Sequence, residues 1–262
     1  MQADPAESAP LLVRQAEGVL WLTLNRPLAR NAMNDKVREL LRHHLNAAAA
    51  PDVRAVVIRG DERAFSAGAD VNEMDGEPAT IARMLEEGRA IVDSIARLPK
   101  PVIAAVRGPA AGSGFSIAMA CDIIVADETA VFHSSFAKLG LIPDWSATYW
   151  LARQVGLYRA KEIIFSARPV SAGEAHELGL VTRLWPATEF DAELRRLAHE
   201  LASGPTLAFG VAKRLLNRTF ETDLSTAVEL ENLGQLATIS SQDHLRSVEA
   251  FKNKTETIFE GR

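Results

Sequence analysis

The chain has a single cysteine, Cys121, among 262 residues. One thiol excludes an intramolecular disulfide framework and is the usage expected of a protein kept in a reducing cytoplasm. Cys121 lies in the apolar stretch FSIAMACDIIVA, where it reads as a small core residue rather than a nucleophile. No uninterrupted apolar run approaches the ~18 residues of a membrane-spanning helix. The opening MQADPAESAP lacks the basic-then-apolar order of a signal peptide and reads as a frayed tail over residues 1–10. An excess of positive charge is also missing. With 29 Lys and Arg against 34 Asp and Glu, the net charge of −5 argues against nucleic acid as a partner. It leaves room for an anionic ligand held by a local basic group.

Several motifs are absent too. Gly108, Gly112 and Gly114 do not make a dinucleotide-type GxGxxG, and no phosphate-loop GK[ST] occurs. GSGFS is not a GxSxG nucleophile elbow, and no histidine–cysteine–carboxylate spacing suits a metal. His43, His44, His176 and His199 read as solvated helix residues, and His133 stands alone in VFHSS. There is neither a repeat of fixed period nor a low-complexity linker.

What the chain does contain is an alternation of two hydrophobic periods. VLWLTLN (19–25), RAVVIRG (54–60), KPVIAAVRG (100–108) and CDIIVAD (121–127) read as strands. NDKVRELLRHHL reads as a helix capped by Asn34, with Val37, Leu40, Leu41 and Leu45 on one face. A second helix is expected over 79–97, with Ile81, Met84, Leu85, Ile91, Val92 and Ile95 as its apolar stripe. PAAGSGFSIAMA reads as a glycine turn entering a short apolar helix. Beyond about residue 144 helical patterns dominate: 146–155, 158–166, 172–178, 190–202 and 205–217. Strand–helix units followed by a helical tail make an α/β core with an α-helical C-terminal section.

Two segments share one chemical possibility. In AFSAGAD (64–70) and in AAGSGFS (110–116) a strand gives way to tiny residues and then to a helical stretch. Such residues let a ligand oxygen approach main-chain N–H groups, and a helix N-terminus adds positive potential. The same glycines could equally serve only tight turns and close packing. A third segment, LGLIPDWSATYW (139–150), offers Asp144. Hemmed in by Ile142, Trp145 and Tyr149, that carboxylate would have a raised pKa and act as a general base. It would also serve as an ordinary N-cap for a helix starting at 145. Both readings stand at this level.

LTLNRPLARNAMN (22–34), AFSAGADVNEM (64–74), KPVIAAVRGPAAGSGFSIAMACDIIVADETAVF (100–132), AKLGLIPD (137–144) and SAGEAHELGLVTRL (171–184) together resemble the crotonase superfamily, the enoyl-CoA hydratase/isomerase group. They follow the family's order through most of residues 18–185. The resemblance implies a spiral of ββα units over 11–200, then a C-terminal α-helical section over 201–262 that builds homotrimers or hexamers. It implies an acyl-CoA thioester substrate, with coenzyme A as part of that substrate and no separate cofactor or metal. The N–H groups of Ala69 and Ser113 become the oxyanion donors. Serine stands where the family usually has glycine, so its side chain must point away. Arg26, Ala29, Ala67, Asp70 and Val71 match positions along the CoA path. Asn72 stands where hydratases often carry a phosphate-binding lysine, and Lys254 is expected to replace that charge.

The departures from the family pattern direct the chemistry. The two positions that hold glutamates in hydratases are Ser116 and Phe136 here, which cannot form an acid–base pair. Asp144 falls where several family isomerases carry their aspartate, and the resemblance is strongest to those acting on epoxide and dienoyl thioesters. The implied reaction is double-bond migration with Asp144 as proton shuttle, in an acyl pocket lined by Phe132, Phe136, Trp145 and Tyr149. Its rivals are a hydratase using Asp144 alone, and a silent acyl-CoA-binding or RNA-binding scaffold. Aryl-CoA dehalogenation is disfavoured, because Arg89 and Phe136 replace that enzyme's histidine and tryptophan.

Overall fold

β-branched runs and amphipathic stretches alternate through the first half of the computed structural model, which describes residues 9–74 and 76–261. The expected tail falls mostly on residues 1–8, outside the described residues. Ala9 and Pro10 are already held, their carbonyl oxygens accepting from Nδ2 and N of Asn25 at 2.9 Å each.

The chain runs β1 (Leu11–Ala16), β2 (Val19–Leu24), α1 (Asp35–Ala47), β3 (Ala55–Arg59), α2 (Pro78–Arg97), β4 (Val102–Val106), β5 (Pro109–Ala111), α3 (Ser113–Ala120), β6 (Ile123–Asp127) and β7 (Val131–His133). It continues with α4 (Ala147–Val155), α5 (Leu157–Ser166), β8 (Pro169–Ser171), α6 (Ala172–Glu177), β9 (Arg183–Trp185), α7 (Phe190–Ala202), α8 (Thr206–Leu216), α9 (Leu224–Ile239) and α10 (Gln242–Asn253). The main sheet has the order β1-β2-β3-β4-β6-β9, and β5-β7-β8 form a second sheet. In the main sheet only β1 is antiparallel to its neighbour. Two successive turns, β4–β5–α3 and β6–β7, each give one strand to each sheet, which is the expected ββα spiral.

The aliphatic runs are explained by burial on both faces. Ala55 and Val57 of β3 point with Ile103 and Val125 towards Phe190, Leu194 and Leu197 of α7. Val56 and Ile58 point the other way, into the main core with Leu41, Leu45, Ile91 and Ile95 of α1 and α2. Each fully buried Val or Ile side chain stabilises the fold by roughly 1.5–3 kcal/mol, so register in these strands is firmly set. Asn34 caps α1 as expected, its side chain accepting from Val37 N. The stripe of α2 is mostly buried, except Leu85 at its exposed margin.

The strand expected over 121–127 starts at Ile123. Cys121 closes α3 and the Asp122 carboxylate accepts from Val102 N. At the other end of the chain, α8 docks through Gly210, where a Cβ would lie 2.5 Å from Pro99 O, and through buried Lys213. By contrast, α9 buries none of its residues. Among the described residues no helix is long and apolar enough to cross a membrane.

Candidate active site

The two small-residue segments meet. Ser66 N donates to Pro109 O (3.1 Å), and Ala111 N donates back to Ser66 O (2.8 Å), so the loop after β3 is sewn to β5. Ser66 Oγ, fully buried, donates to Asn31 O and accepts from Gly68 N. Asp61 opens the same loop by accepting from Arg63 N and Ala64 N. At Gly68 the backbone has φ +99°, and a Cβ there would lie 2.9 Å from Ala111 O and 3.3 Å from Ser113 N. Gly114 packs on Ser66, where a Cβ would come within 2.7 Å of Ser66 Cβ. Gly112 has φ 52° and ψ −126°, a conformation that glycine alone adopts freely.

These glycines therefore serve the tight turns and the close packing considered for them, and they let the segment carrying Ala69 close upon Ser113. Neither Ala69 N nor Ser113 N has a hydrogen-bond acceptor among the described residues. Ser113 is the first residue of α3, so its N–H is also one of the unpaired donors at a helix N-terminus. Its side chain is buried, and its Oγ has no partner among the described residues.

Asp144 occupies a differently built loop. Its side chain is no helix cap: α4 starts at Ala147 and no side chain caps it. Only the Asp144 carbonyl contributes, accepting from Ala147 N. Trp145 and Ser146, both left-handed at φ 47° and 69°, stand between Asp144 and the helix start, and Ser146 occupies the cap position. Asp144 Oδ1, Trp145 Nε1 and Ser146 Oγ are buried with no hydrogen-bond partner among the described residues. Burial raises the Asp144 pKa to about 6, opposed weakly by its own backbone N–H. Three consecutive residues that each bury an unpartnered polar atom, two of them on left-handed backbone, are the kind of cost that gathers at functional sites.

Of the three residues expected to hem in Asp144, Trp145 alone is buried. Its indole lies over Gly88 in the middle of α2, where a Cβ would fall 1.8 Å from Trp145 Cε2. Ile142 is 82% exposed. The Tyr149 hydroxyl donates to Glu221 at 2.6 Å, while its ring stacks under Arg153. α3, which Ser113 opens, packs against both α2 and the α4 that follows Asp144.

The remaining expected residues divide. Arg26 Nη1 donates to Asp70 Oδ2 and to Ala32 O, both at 2.7 Å. The bond from Arg26 holds the Asp70 carboxyl below its ordinary range, and Asp70 also accepts from N and Nδ2 of Asn72. These two charges thus neutralise each other and tie the 26–33 loop to the 66–74 loop. Ala67 and Val71 are exposed beside them and Ala29 is half-buried. Ser116 is fully buried, its Oγ donating to Gly112 O (3.3 Å). Phe136 is buried in the 3₁₀ turn Ser135–Leu139. Phe132 is fully buried in the main core, paired in register with Ala110 and Val170. Lys254 is exposed at the left-handed end of α10 and makes no side-chain hydrogen bond or ion pair to the 64–74 loop among the described residues.

Sequence reasoning overlooked Arg38, the largest of the fully buried side chains, and Gly88. Arg38 sits on α1 beside the expected apolar face, and only its distant partners explain it. Gly88 looks like an ordinary flaw in a helix until Trp145 is seen against it. A cavity of about 680 Å³ between α2, α4 and α8 is lined by Tyr149, Trp150 and Lys213 and holds neither Asp144 nor the donors. Two neighbouring N–H groups without acceptors and an unpartnered carboxylate oxygen are better guides to chemistry than volume, so they define the candidate site. No cluster of metal-ligating residues exists among the described residues.

The sequence profile of enoyl-CoA hydratase/isomerase matches residues 14–262. A Rhodobacter capsulatus protein named "Probable enoyl-CoA hydratase" is 36% identical over 94% of this chain and 96% of its own. The 1,2-epoxyphenylacetyl-CoA isomerase of Escherichia coli is 34% identical over 96% of this chain and 98% of its own. Among solved structures, an enoyl-CoA hydratase from Bacillus anthracis superposes with a TM-score of 0.93 at 31% identity, covering 97% of this chain and 100% of that one.

Proposed function

Since the chain belongs to the enoyl-CoA hydratase/isomerase family, we propose that it is an acyl-CoA isomerase that moves a double bond from the 3,4 to the 2,3 position of an enoyl thioester. Asp144 removes a proton from C2. The electron pair moves onto the thioester oxygen as a dienolate, held by the N–H groups of Ala69 and Ser113. The protonated Asp144 then returns its proton at C4, and the carbonyl re-forms. Each oxyanion donor of this kind lowers a barrier by roughly 2.7–4 kcal/mol. A shuttle with a pKa near neutrality can both take and return a proton, and the Asp144 pKa of about 6 suits that task.

One observation carries the preference for isomerisation. Asp144 offers a buried, unpartnered carboxylate oxygen, whereas the positions of the hydratase glutamates hold a phenylalanine and a serine whose hydroxyl is committed to Gly112 O. The relative named a hydratase supports the second reading, in which Asp144 positions a water. Incubation with a 3-enoyl-CoA and, separately, with a 2-enoyl-CoA, with products resolved by mass, separates the two. Conversion of the 3-enoyl-CoA to an isomer of unchanged mass supports the shuttle, whereas an unreacted 3-enoyl-CoA beside a 2-enoyl-CoA product heavier by one water supports hydration.

The same proposal gives Trp145 and Phe136 the acyl end of the site and Arg26, Ala29, Ala67 and Val71 its CoA end. It requires no separate cofactor. It also assigns the exposed Leu224, Leu233 and Leu236 of α9 to contacts between copies of this chain, to be checked by sedimentation.

A further inference from the structure

Arg38 of α1 is only 2% exposed, yet it reaches three separate segments. Its Nε donates to Glu87 Oε2 on α2 at 2.7 Å, and its Nη1 donates to Glu73 Oε2 at 2.8 Å and to Met33 O at 3.0 Å. Nη2 lies 3.6 Å from Asp35 Oδ1. Met33 is the residue that holds Ala69: its N–H donates to Gly68 O (2.8 Å) and its carbonyl accepts from Asp70 N (3.3 Å). Ala69 therefore sits between two bonds made to one residue, whose carbonyl Arg38 fixes. Glu73 closes the loop from the other side, accepting from Asp35 N with both carboxylate oxygens at 2.9 and 3.1 Å.

We propose that Arg38 is a positioning residue for the oxyanion donor Ala69, acting through Met33 and Glu73. This rests on the reading of Ala69 N–H as an oxyanion donor. Buried ion pairs are commonly near neutral for stability compared with apolar packing. What such a cluster supplies is geometry: a planar fork with several donors cannot satisfy acceptors on three segments unless those segments keep fixed relative positions. The donor needs that accuracy, because a displacement of about 1 Å at a reacting group can cost about 10²-fold in rate. Arg26 and Asp70 brace the same loop from its far side, so Arg38 removes the remaining freedom rather than creating the loop.

The test reads the donor directly. Saturated butyryl-CoA, labelled with carbon-13 at the thioester carbonyl, is bound to the native protein and to Arg38→Lys and Glu73→Gln. The carbonyl stretch is followed by isotope-edited infrared spectroscopy, beside kcat and KM for a 3-enoyl-CoA. The expected result is a lowered frequency in the native complex and a partial return towards the free-ligand value in both variants. Alongside it, kcat should fall about 10- to 100-fold with KM changed less than about threefold. A native complex with no lowered frequency removes the oxyanion reading itself. A lowered frequency that persists unchanged in the folded variants overturns the positioning role and leaves Arg38 structural. Should Arg38→Lys fail to fold, Glu73→Gln, whose carboxylate is partly exposed, decides alone.

Discussion

The two halves of the proposed site are built on opposite principles. On the donor side, Ala69 and Ser113 are held by backbone bonds, by glycines that tolerate no side chain, and by charges that are paired. On the base side, Asp144 stands in a loop with two successive left-handed non-glycine residues, three buried polar atoms without partners among the described residues, and exposed Leu139 and Ile142 at its edge. A fixed donor works through preorganisation, so rigidity serves it. A proton shuttle works through a pKa near neutrality, so dehydration and the lack of partners serve it.

The largest test of this contrast removes the base. Asp144→Asn should lower turnover in the proposed isomerisation by about 10²–10⁴-fold, while leaving butyryl-CoA binding within a few-fold in equilibrium titration. Equal loss of binding would mean that Asp144 holds the loop rather than the proton. On the donor side, Gly112→Ala should lower kcat by about 10²–10³-fold, as expected for a displaced oxyanion donor, because alanine resists φ 52° with ψ −126°. Steady-state kinetics at saturating thioester would show it.

The ionisation of Asp144 gives an intermediate effect. As a base it must be charged, so kcat/KM, which reports the free enzyme, should rise with pH through about 6 and lose that limb in Asp144→Asn. Stability runs the other way. A carboxyl whose pKa is about 6 when folded, against an ordinary 3.8, favours the folded state fully below the lower value. That contribution is lost as pH rises through the higher one. Asp144→Asn should therefore melt higher than the native protein at about pH 8 and no higher at about pH 4, with about 3 kcal/mol as the upper limit of the gain. Calorimetry at the two pH values reads the sign.

The smallest expected effect bears on how the base is kept dry. Ala normally gains about 1 kcal/mol over Gly in a helix interior. At Gly88 the new Cβ meets the Trp145 indole at 1.8 Å, so Gly88→Ala should instead destabilise by about 1–3 kcal/mol. As water reaches Asp144, the acidic limb should also move to lower pH. A variant that melts higher with an unchanged limb would separate Trp145 from the base.

Much of the frame was legible. Asn34 capped its helix, the aliphatic runs became strands buried on both faces, and the helices from 147 to 216 fell where their stripes placed them. β5, β7, β8 and β9, at three residues each, are too short to carry a period. β1 shows one buried residue and so lacks a clear alternation. The small-residue segments were legible as places where backbone could approach a ligand, though their mutual approach was not. Asp144 was visible as a carboxylate with two possible roles, and the left-handed pair after it, unforeseeable in Trp–Ser, decided against the cap.

The sequence by itself determined the strand–helix order, the position of the two small-residue segments, the place of Asp144 between Pro143 and Trp145, and the absence of glutamates at 116 and 136. Those are properties of residues and their immediate neighbours. Only the tertiary structure decided that Gly68 lies against Ser113, that Gly88 seats Trp145, and that Arg38 reaches Glu73 and Glu87 across 35 and 49 residues. Contacts of that range depend on how elements pack, and hydrophobic burial, which drives the packing, carries no local record of which side chains it will bring together.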